Sequence, residues 1–391
     1  MATCVVTLAL PDGTGAPRMA SYFCAALVRA GHRVVVICGD VPQVAKEAGN
    51  RMLDEMRQAG VKIQPMAELQ RLCRPSTIRQ VRDIILAERG DCVISFQQRD
   101  QTMALWAARC AGVPGVVSAQ NQCTFWGAWP LRKLKELVFG FTARRFTSLA
   151  VCTSEVVQRE LVERFRIRAD RSTVLPNGVS VHGFPTFREE EKKDARRSLG
   201  VNRDELLLIN VGRIDTQKGQ DILVEAISGL NYDREFKLVC VGGVSRGGNH
   251  LRMQQFNEEI RARVKQWNLE DRIVFAGWRD DVPLLLSAAD AYVHSARWEG
   301  WPLVLVEAMA AGLPVVGTDC AGRPCGFADG THGYIVKSED ADALRRGIEN
   351  VLKLDEQQRE EMGQAGRNLA ERHYDIGKIG EEFVRLVEGV L

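Results

Sequence analysis

Several features that assign a protein to a special class are missing from this chain of 391 residues. It has no run of about 18 consecutive apolar residues, so it offers no candidate transmembrane helix. Its eleven cysteines are scattered singly and form no Cys-x-x-Cys pair, which argues against a disulfide framework and against zinc. We therefore expect structural thiols, a cytoplasmic location and no metal site.

A strong charge of one sign is also missing, since the net charge is only +2. This argues against nucleic acid as a partner of the whole molecule. The two halves nevertheless differ, because residues 1–185 contain 24 Lys/Arg and 15 Asp/Glu, while the remainder contains 28 and 35. A basic front half and an acidic back half indicate two domains with different partners.

Short apolar runs alternate with helical patterns along the chain, which predicts parallel α/β sheets. Runs at 34–38, 92–96, 113–118 and 149–153 belong to the first half. The alternation breaks at 175–178, a charged segment follows, and it resumes with runs at 206–211, 236–241 and 291–294. We expect two Rossmann-like, doubly wound domains, 1–182 and 183–375, that face each other across a cleft.

Each half opens with a strand, a glycine-bearing loop and a helix, and such helix N-termini are natural anion sites. The loops contain Gly13-Thr14-Gly15 in the first half and Gly212-Arg213 in the second. Neither loop has the Gly-x-Gly-x-x-Gly spacing, and no Gly-x-x-x-x-Gly-Lys-Ser/Thr occurs. A dehydrogenase or a P-loop enzyme is therefore disfavoured.

The segment 297–310 combines two carboxylates with an apolar helix. Pro302 suits the first turn of that helix, Glu307 lies inside it, and Glu299 lies in the preceding loop. A carboxylate within an apolar helix must find a donor or shift its pKa. From spacing alone, sugar hydroxyls and a nearby arginine are equally good partners for Glu307.

A second loop carries two cations, Arg213 at a strand end and Lys218 before a helix. Two cations in one loop of an acidic domain suit a diphosphate. The alternative is a pair of exposed surface charges.

Together these segments resemble the family 4 retaining glycosyltransferases of GT-B fold, over nearly the whole chain. The resemblance is carried by five motifs in order: Gly31-His32-Arg33-Val34, Cys152-Thr153-Ser154-Glu155, Pro176-Asn177-Gly178-Val179, Gly212-Arg213 with Lys218-Gly219, and Glu299 with Glu307. It implies that a C-terminal helix at 376–391 crosses back onto the N-terminal domain. It also implies a nucleotide-sugar donor as co-substrate, with no further cofactor and no metal.

The resemblance assigns catalytic roles to Arg213 and Lys218, which would bind the donor diphosphate, and to Glu299, which would hold the donor sugar. Glu307 would accept the ribose hydroxyls. The other donor-binding positions that it implies are Gly212, Gly243, Arg279, Gly300, Trp301, Leu303 and Val304.

The acceptor side is implied to include Gly13, Thr14 and Gly15, together with Gln97 and Gln98. The stretch 97–100, with Gln120-Asn121, resembles the subgroup that transfers hexoses or N-acetylhexosamines from UDP-sugars to lipid-linked saccharides. Alternatives are a soluble small-molecule acceptor, a nucleotide-sugar 2-epimerase of the same fold and a non-catalytic sugar-nucleotide-binding homologue. Cys325 departs from the family pattern, which often has glutamate there, and receives no role.

The segment 125–146 leads in with aromatic residues and contains apolar residues at 131, 134, 137, 138 and 141 on one helical face. Five cations accompany them: Arg132, Lys133, Lys135, Arg144 and Arg145. One interpretation is an interfacial helix at an anionic membrane surface. The other is an ordinary amphipathic helix packed on the first sheet.

Overall fold

The computed structural model describes residues 1–12, 15–43, 46–70, 74–123, 129–202, 204–232, 235–244 and 250–391. It divides into two compact units, Met1–Asn177 with Ile376–Leu391, and Gly178–Asp375. Each unit contains one all-parallel sheet whose strands alternate with helices. The expected fold class, two doubly wound α/β domains, is confirmed.

The first unit contains seven strands in the order β3-β2-β1-β4-β5-β6-β7. Its strands are β1 Thr3–Leu8, β2 Arg33–Cys38, β3 Lys62–Pro65, β4 Cys92–Ser95, β5 Gly115–Ala119, β6 Thr147–Cys152 and β7 Ser172–Val174. Its helices are α1 Gly15–Arg29, α2 Lys46–Gln58, α3 Pro75–Ala87, α4 Gln98–Ala111, α5 Trp129–Phe146 and α6 Glu155–Glu163, joined by a C-terminal helix, Ile376–Glu388. Central strands such as β1 and β4 are mostly apolar and almost entirely buried because helices cover both faces of the sheet.

The second unit contains six strands in the order β10-β9-β8-β11-β12-β13. Its strands are β8 Leu206–Val211, β9 Phe236–Val241, β10 Ile273–Gly277, β11 Ala291–His294, β12 Val315–Thr318 and β13 Gly333–Val336. Its helices are α7 Glu189–Ser198, α8 Gln220–Ser228, α9 His250–Gln266, α10 Val282–Ala288, α11 Leu303–Ala310, α12 Ala341–Leu352 and α13 Glu356–His373; the C-terminal helix is then α14.

The chain enters the second unit at Gly178, earlier than the boundary after residue 182 that the sequence indicated. Val179 and Val181 lie in the apolar core of the second unit. The N–H of Val179 also donates to the carbonyl oxygen of Tyr374 at 2.9 Å. These contacts tie the segment after Asn177 to the second unit.

Helix α14 belongs to the first unit because its apolar face packs there. Ile379, Phe383 and Val387 recur every four residues and are buried. The ring of Phe383 stacks on Phe23 of α1, with centroids 4.1 Å apart. The segment after Asp375 therefore completes the core of the first unit.

Candidate functional site

In the sheet of the second unit, the strand order reverses between β8 and β11, which are neighbours although β9 and β10 lie between them in the chain. All its strands are parallel, so their carboxyl ends share one edge. Ligands of open α/β sheets bind beyond this edge, at the point where the strand order reverses. The loops that follow β8 and β11 carry the predicted catalytic residues.

The loop after β8 is held by its own side chains. The amide of Gln220, a buried residue, donates to the carbonyl oxygen of Arg213 at 2.8 Å and accepts from the N–H of Asp215 at 3.4 Å. Gly219 follows with φ of 63°, and a Cβ there would collide with the carbonyl oxygen of Ser295. The left-handed turn at Gly219 and its close approach to the loop after β11 both require glycine.

Lys218 and Glu299 form an ion pair across the two loops. The ammonium of Lys218 donates to Oε1 of Glu299, whose side chain is 8% exposed. Burial raises the pKa of Glu299, but the positive charge of Lys218 and the nearby His294 outweigh it and lower that pKa to about 2. Glu299 is therefore ionised, and it holds Lys218 at the switch point.

His294 lies beside this pair at the end of β11. Its Nε2 is 3.9 Å from Oε1 of Glu299, which is longer than a hydrogen bond. Neither ring nitrogen has a hydrogen-bond partner among the described residues. Burial lowers the pKa of His294, Glu299 raises it and Lys218 lowers it again, so the net change is downward.

Arg297 connects the two loops. Its guanidinium donates to the carbonyl oxygen of Thr216 and to both carboxylate oxygens of Asp221, each at 2.8 Å. Its own N–H donates to the carbonyl oxygen of Gln217 at 2.8 Å, and the Gln217 amide donates back to Trp298 at 3.0 Å. Because bidentate arginine–carboxylate pairs fix geometry, this arrangement sets the distance between Lys218 and Glu299.

Arg213 presents a more open cation. Its side chain is 42% exposed and lies 3.9 Å from a carboxylate oxygen of Asp215, with a hydrogen bond of 3.3 Å to Gln217. Gly212 adjoins it and packs against the methylene groups of Lys218. The two predicted diphosphate cations are thus held in one loop, one exposed and one half-buried.

Helix α11 begins at the same edge. Pro302 caps it, one position earlier than the first helical turn in which the sequence indicated proline, and Leu303 and Val304 supply its first N–H groups. Gly300 is buried, and the half-buried Trp301 has an indole N–H without a partner among the described residues.

Glu307 is half-buried on the second turn of α11. Burial raises the pKa of Tyr292 well above its usual range, and the negative charges of Glu299 and Glu307 raise it further. Both glutamates of the predicted pair therefore act on one buried phenol of β11.

The positions predicted for the nucleotide base follow β9 and β10. The carbonyl oxygen of Gly243 accepts from Ile214 at 3.1 Å, which joins it to the β8 loop. A Cβ on Gly243 would lie 2.7 Å from the indole nitrogen of Trp278, so glycine allows this close packing. Arg279 is occupied by Asp281 through two hydrogen bonds of 2.8 and 2.6 Å, which raise the pKa of Arg279.

In the first unit, the predicted acceptor loop is only partly described. Gly13 and Thr14 lie outside the described residues, and Gly15 begins α1. The side-chain amide of Gln97 forms two hydrogen bonds with the backbone of Leu10. It accepts from the N–H of Leu10 at 2.7 Å and donates to the carbonyl oxygen of Leu10 at 3.0 Å. Gln98 begins α4 and is half-buried.

Asp100, which the sequence indicated only as part of the stretch 97–100 and without a role of its own, holds the same loop. The carboxylate is fully buried and accepts from the N–H of Ala9 at 3.1 Å and from the hydroxyl of Ser95 at 3.0 Å. Burial raises the pKa of Asp100 to about 6. The available signal was its position in the first turn of the helix that follows the buried strand β4.

A large apolar surface lies on helix α5 of the first unit. Five apolar residues of one helical face are between 42% and 69% exposed, and we call them the α5 stripe: Leu131, Leu134, Leu137, Val138 and Phe141. The helix buries Phe139, Thr142 and Ala143 instead. The interpretation that the stripe packs on the first sheet is therefore wrong. Residues 124–128, which precede the helix and contain most of the predicted aromatic lead-in, lie outside the described residues.

Two further findings concern the described part of the chain only. It has no helix that is long and apolar enough to cross a membrane. It also has no group of three or more His, Cys, Asp or Glu side chains arranged to hold a metal ion.

Comparison with known families gives two matches. A model described as "Glycosyltransferase Family 4" matches residues 13–182, and one described as "Glycosyl transferases group 1" matches residues 191–369. The two matches cover different units and together span most of the chain.

Individual proteins are similar as well. A UDP-Gal:α-D-GlcNAc-diphosphoundecaprenol α-1,3-galactosyltransferase of Escherichia coli is 26% identical over 72% of this chain and 73% of its own length. The lipopolysaccharide core mannosyltransferase LpsB of Rhizobium meliloti is 34% identical over 44% of this chain, and the match spans about half of LpsB (49%). The crystal structure of Anabaena HepE with UDP and glucose superposes with a TM-score of 0.82 over the whole of both chains, at 20% identity.

Proposed function

Because this chain belongs to the family 4 glycosyltransferases of GT-B fold, we propose that it transfers a hexose or N-acetylhexosamine from a UDP-sugar to a lipid-linked saccharide, with retention of anomeric configuration. The observation that carries the donor half of this proposal is the Lys218–Glu299 ion pair at the strand-order reversal, with Arg213 in the same loop. The UDP complex of HepE supports uracil as the base.

In the proposed mechanism, the bond between the anomeric carbon and the diphosphate oxygen breaks, and a bond to the acceptor hydroxyl oxygen forms on the same face. The acceptor proton passes to the leaving phosphate, so no protein nucleophile is needed. Arg213 and Lys218 stabilise the negative charge that develops on the leaving diphosphate, which is electrostatic catalysis. With this charge supplied by side chains, the proposal includes neither a metal nor a cofactor.

The remaining donor contacts follow from the elements at the sheet edge. Glu299 and the backbone of Gly300 and Trp301 hold the sugar, and Glu307 accepts the ribose hydroxyls. Backbone N–H groups at the start of α11 face the phosphates, because the first N–H groups of a helix have no partner within it. The proposed positions are Leu303 and Val304 for the phosphates, Gly212 for the diphosphate loop, and Gly243 with Arg279 for the base.

Turnover and UDP binding of Arg213→Ala test the donor site. Loss of one charged transition-state donor costs about 100-fold or more in turnover. Lys265→Ala, which removes an exposed cation of α9, is the matched control and should behave like the unaltered protein. Near-normal turnover of Arg213→Ala would refute the assigned diphosphate loop.

The acceptor is tested with a panel of UDP-sugars and two acceptor classes. We expect transfer to a polyprenyl diphosphate-linked saccharide, as the galactosyltransferase relative supports, and an axial–equatorial coupling in the NMR spectrum of the product that reports retention. Transfer only to a soluble acceptor would show that the acceptor is a soluble molecule and not a lipid-linked saccharide. Conversion of the UDP-sugar to its 2-epimer without an acceptor would indicate an epimerase.

We also propose that the first unit contacts an anionic membrane surface through the α5 stripe, since a lipid-linked acceptor resides there. Leu134 and Leu137 are 56% and 69% exposed, and burial of the exposed part of each side chain in the headgroup region contributes about 1–2 kcal/mol. Arg144 and Arg145 are exposed at the end of the helix, and each cation near an anionic surface adds about 1 kcal/mol. Attachment should therefore be reversible and salt-sensitive.

Co-sedimentation with vesicles of phosphatidylglycerol and phosphatidylcholine tests this surface. Leu134→Asp should release the protein from the vesicles, whereas Leu86→Asp should not. Leu86 is a matched control because it is 55% exposed on α3 of the same unit. If the unaltered protein ignores anionic vesicles at low salt, or if both variants bind equally, the membrane surface is wrong.

A further inference from the structure

His294 is a buried polar side chain whose role the proposed transfer does not explain. It is 3% exposed, and both Nδ1 and Nε2 lack a hydrogen-bond partner in the part of the chain that the structure describes. The great majority of buried polar side-chain atoms have a hydrogen-bond partner, so a buried imidazole without one requires an explanation. One explanation is a second state of the protein in which His294 does form a hydrogen bond.

Two charged groups from other loops face the ring. Nε2 is 3.9 Å from Oε1 of Glu299, and that same oxygen accepts from the ammonium of Lys218. Glu299 favours an imidazolium at His294, whereas burial and the positive charge of Lys218 oppose it. In the free protein, the imidazole of His294 therefore stays neutral near neutral pH, and Lys218 is the charged partner of Glu299.

The other titratable groups near the ring do not supply a competing charge. Tyr292 precedes His294 on β11, with ring centroids 6.4 Å apart, and burial keeps its phenol protonated. Cys320, beyond the end of β12, is a buried thiol whose pKa burial raises to about 12. Glu307 on α11 acts on Tyr292 and brings only further negative charge to this region. The balance at His294 is therefore set by Glu299 and Lys218.

A bound diphosphate changes that balance. An ammonium has three donor protons, so Lys218 can bond the phosphate oxygens while it still lies near Glu299. The negative charge of the diphosphate then offsets the positive charge of Lys218 at the imidazole, and the attraction of Glu299 remains. Protonation of His294, which Lys218 opposes in the free protein, becomes favourable.

Resting on the proposed function, we propose that His294 is a positioning residue that takes up a proton when the UDP-sugar donor binds and then donates a hydrogen bond from Nε2 to Glu299. A shift of about 1 Å closes the present 3.9 Å to hydrogen-bond length. Glu299 then keeps a charged partner while Lys218 serves the diphosphate.

Proton uptake gives donor binding a definite pH dependence. A ligand that binds with uptake of one proton binds more tightly at low pH, and its Kd rises up to about tenfold per pH unit between the titration points of the free and the bound protein. For an imidazole that is neutral in the free protein, this window begins at or below about pH 6.5 and extends upward. The affinity for the donor should therefore fall between pH 6.5 and 8.

The experiment is calorimetric titration of the full chain with UDP-glucose and with UDP, in two buffers of different ionisation enthalpy. UDP-glucose has no phosphate that titrates near neutrality, and for UDP the uptake by its own phosphate is common to all variants. The test variant is His294→Gln, whose amide can donate to Glu299 but cannot titrate. His332→Gln is the control, since His332 is also buried in the second unit but bonds the backbone of Ala328.

With UDP-glucose, we expect uptake approaching one proton per donor bound near pH 7, retained in His332→Gln and lost in His294→Gln. Binding of UDP-glucose without proton uptake in the unaltered protein, or uptake on UDP-glucose binding that persists in His294→Gln, would overturn the role of His294 and leave the donor site standing. If neither UDP nor UDP-glucose binds, or if Arg213→Ala binds UDP normally, the proposed function itself fails. Should His294→Gln not fold, the pH dependence of the unaltered protein with UDP-glucose decides alone.

Discussion

Removal of the ammonium of Lys218 should destabilise the second unit far more than loss of a surface charge does. Glu299 has an ordinary pKa of 4.5 that falls to about 2 in the folded protein. This lowering of the pKa corresponds to about 3 kcal/mol of stability near neutral pH, to which the charge of Lys218 makes the largest favourable contribution and His294 a further one. Because Glu299 is nearly inaccessible to solvent, little of this energy is screened.

The test compares Lys218→Met, Glu299→Gln and the double variant by scanning calorimetry at pH 7. Lys218→Met leaves a buried carboxylate without its cation, and breaking such a pair costs about 3–5 kcal/mol. In a unit of this size, a loss of about 3 kcal/mol lowers the melting temperature by roughly 6–12 °C. The double variant should recover most of this loss, since an amide and a thioether leave no buried charge.

The sign of the pH dependence follows from a carboxyl pKa that is lower in the folded state. The stabilisation by Glu299 is complete above about pH 4.5 and is lost as the pH falls toward 2. In acid the unaltered protein loses this stabilisation, so the difference in melting temperature between it and Lys218→Met should disappear. Lys265→Met is the control on an exposed lysine. A melting shift of Lys218→Met below about 2 °C, or a double variant no better than the single one, would refute the reasoning.

Three shorter predictions concern the supporting residues and the metal. Burial raises the pKa of Asp100 to about 6, so the contribution of this carboxyl to stability is lost as the pH rises through 6. Asp100→Asn should therefore remove a change of about 3 kcal/mol in the free energy of unfolding between pH 4 and 8, measured from melting temperatures. Arg297→Lys keeps the charge but loses the paired bonds to Asp221, and turnover should fall roughly tenfold or more while UDP still binds. A chelator such as EDTA should leave turnover unchanged, because Arg213 and Lys218 provide the positive charge; loss of activity that manganese restores would contradict this.

The fold was largely predictable because its signal is local. Alternation of short apolar runs with helical patterns marks each βα unit, and parallel strands require the crossovers that the helices provide. The boundary between the units was less predictable. The break at 175–178 is visible in the sequence, but the burial of Val179 and Val181 depends on a core assembled from distant residues.

The contacts within the site were not predictable from spacing. Lys218 and Glu299 are 81 residues apart, and only the adjacency of β8 and β11 in the sheet brings their loops together. The sequence indicated Arg213 and Lys218 as a pair of like cations in one loop, whereas the structure gives them different surroundings. The burial of His294 beside Glu299, and the lack of a hydrogen-bond partner for its ring among the described residues, are visible only in the structure.

Helix α5 shows most clearly why periodicity alone cannot assign a surface. The apolar spacing of 131, 134, 138 and 141 is the same for a helix that packs on a sheet and for one that faces a lipid surface. Which face of α5 packs against the unit is decided by its buried residues, since Thr142 and Ala143 are small enough for α5 to approach α4 closely. There the indole of Trp106 donates to the hydroxyl of Thr142 at 3.0 Å, and this hydroxyl donates to the carbonyl of Val138 at 2.7 Å.

Because α5 is anchored by Phe139, Thr142 and Ala143, the large apolar residues of the α5 stripe stay outside the core. Each leucine of the α5 stripe is only partly covered, and it forgoes about 1–2 kcal/mol that complete burial would contribute. Contiguous exposed apolar surface of this kind commonly marks an interaction site. The same helix ends in Arg144 and Arg145, which form no ion pair with the described residues. An apolar stripe bordered by unpaired cations matches an anionic lipid surface in both properties, whereas a purely apolar protein partner would leave the two guanidinium groups without counter-charge.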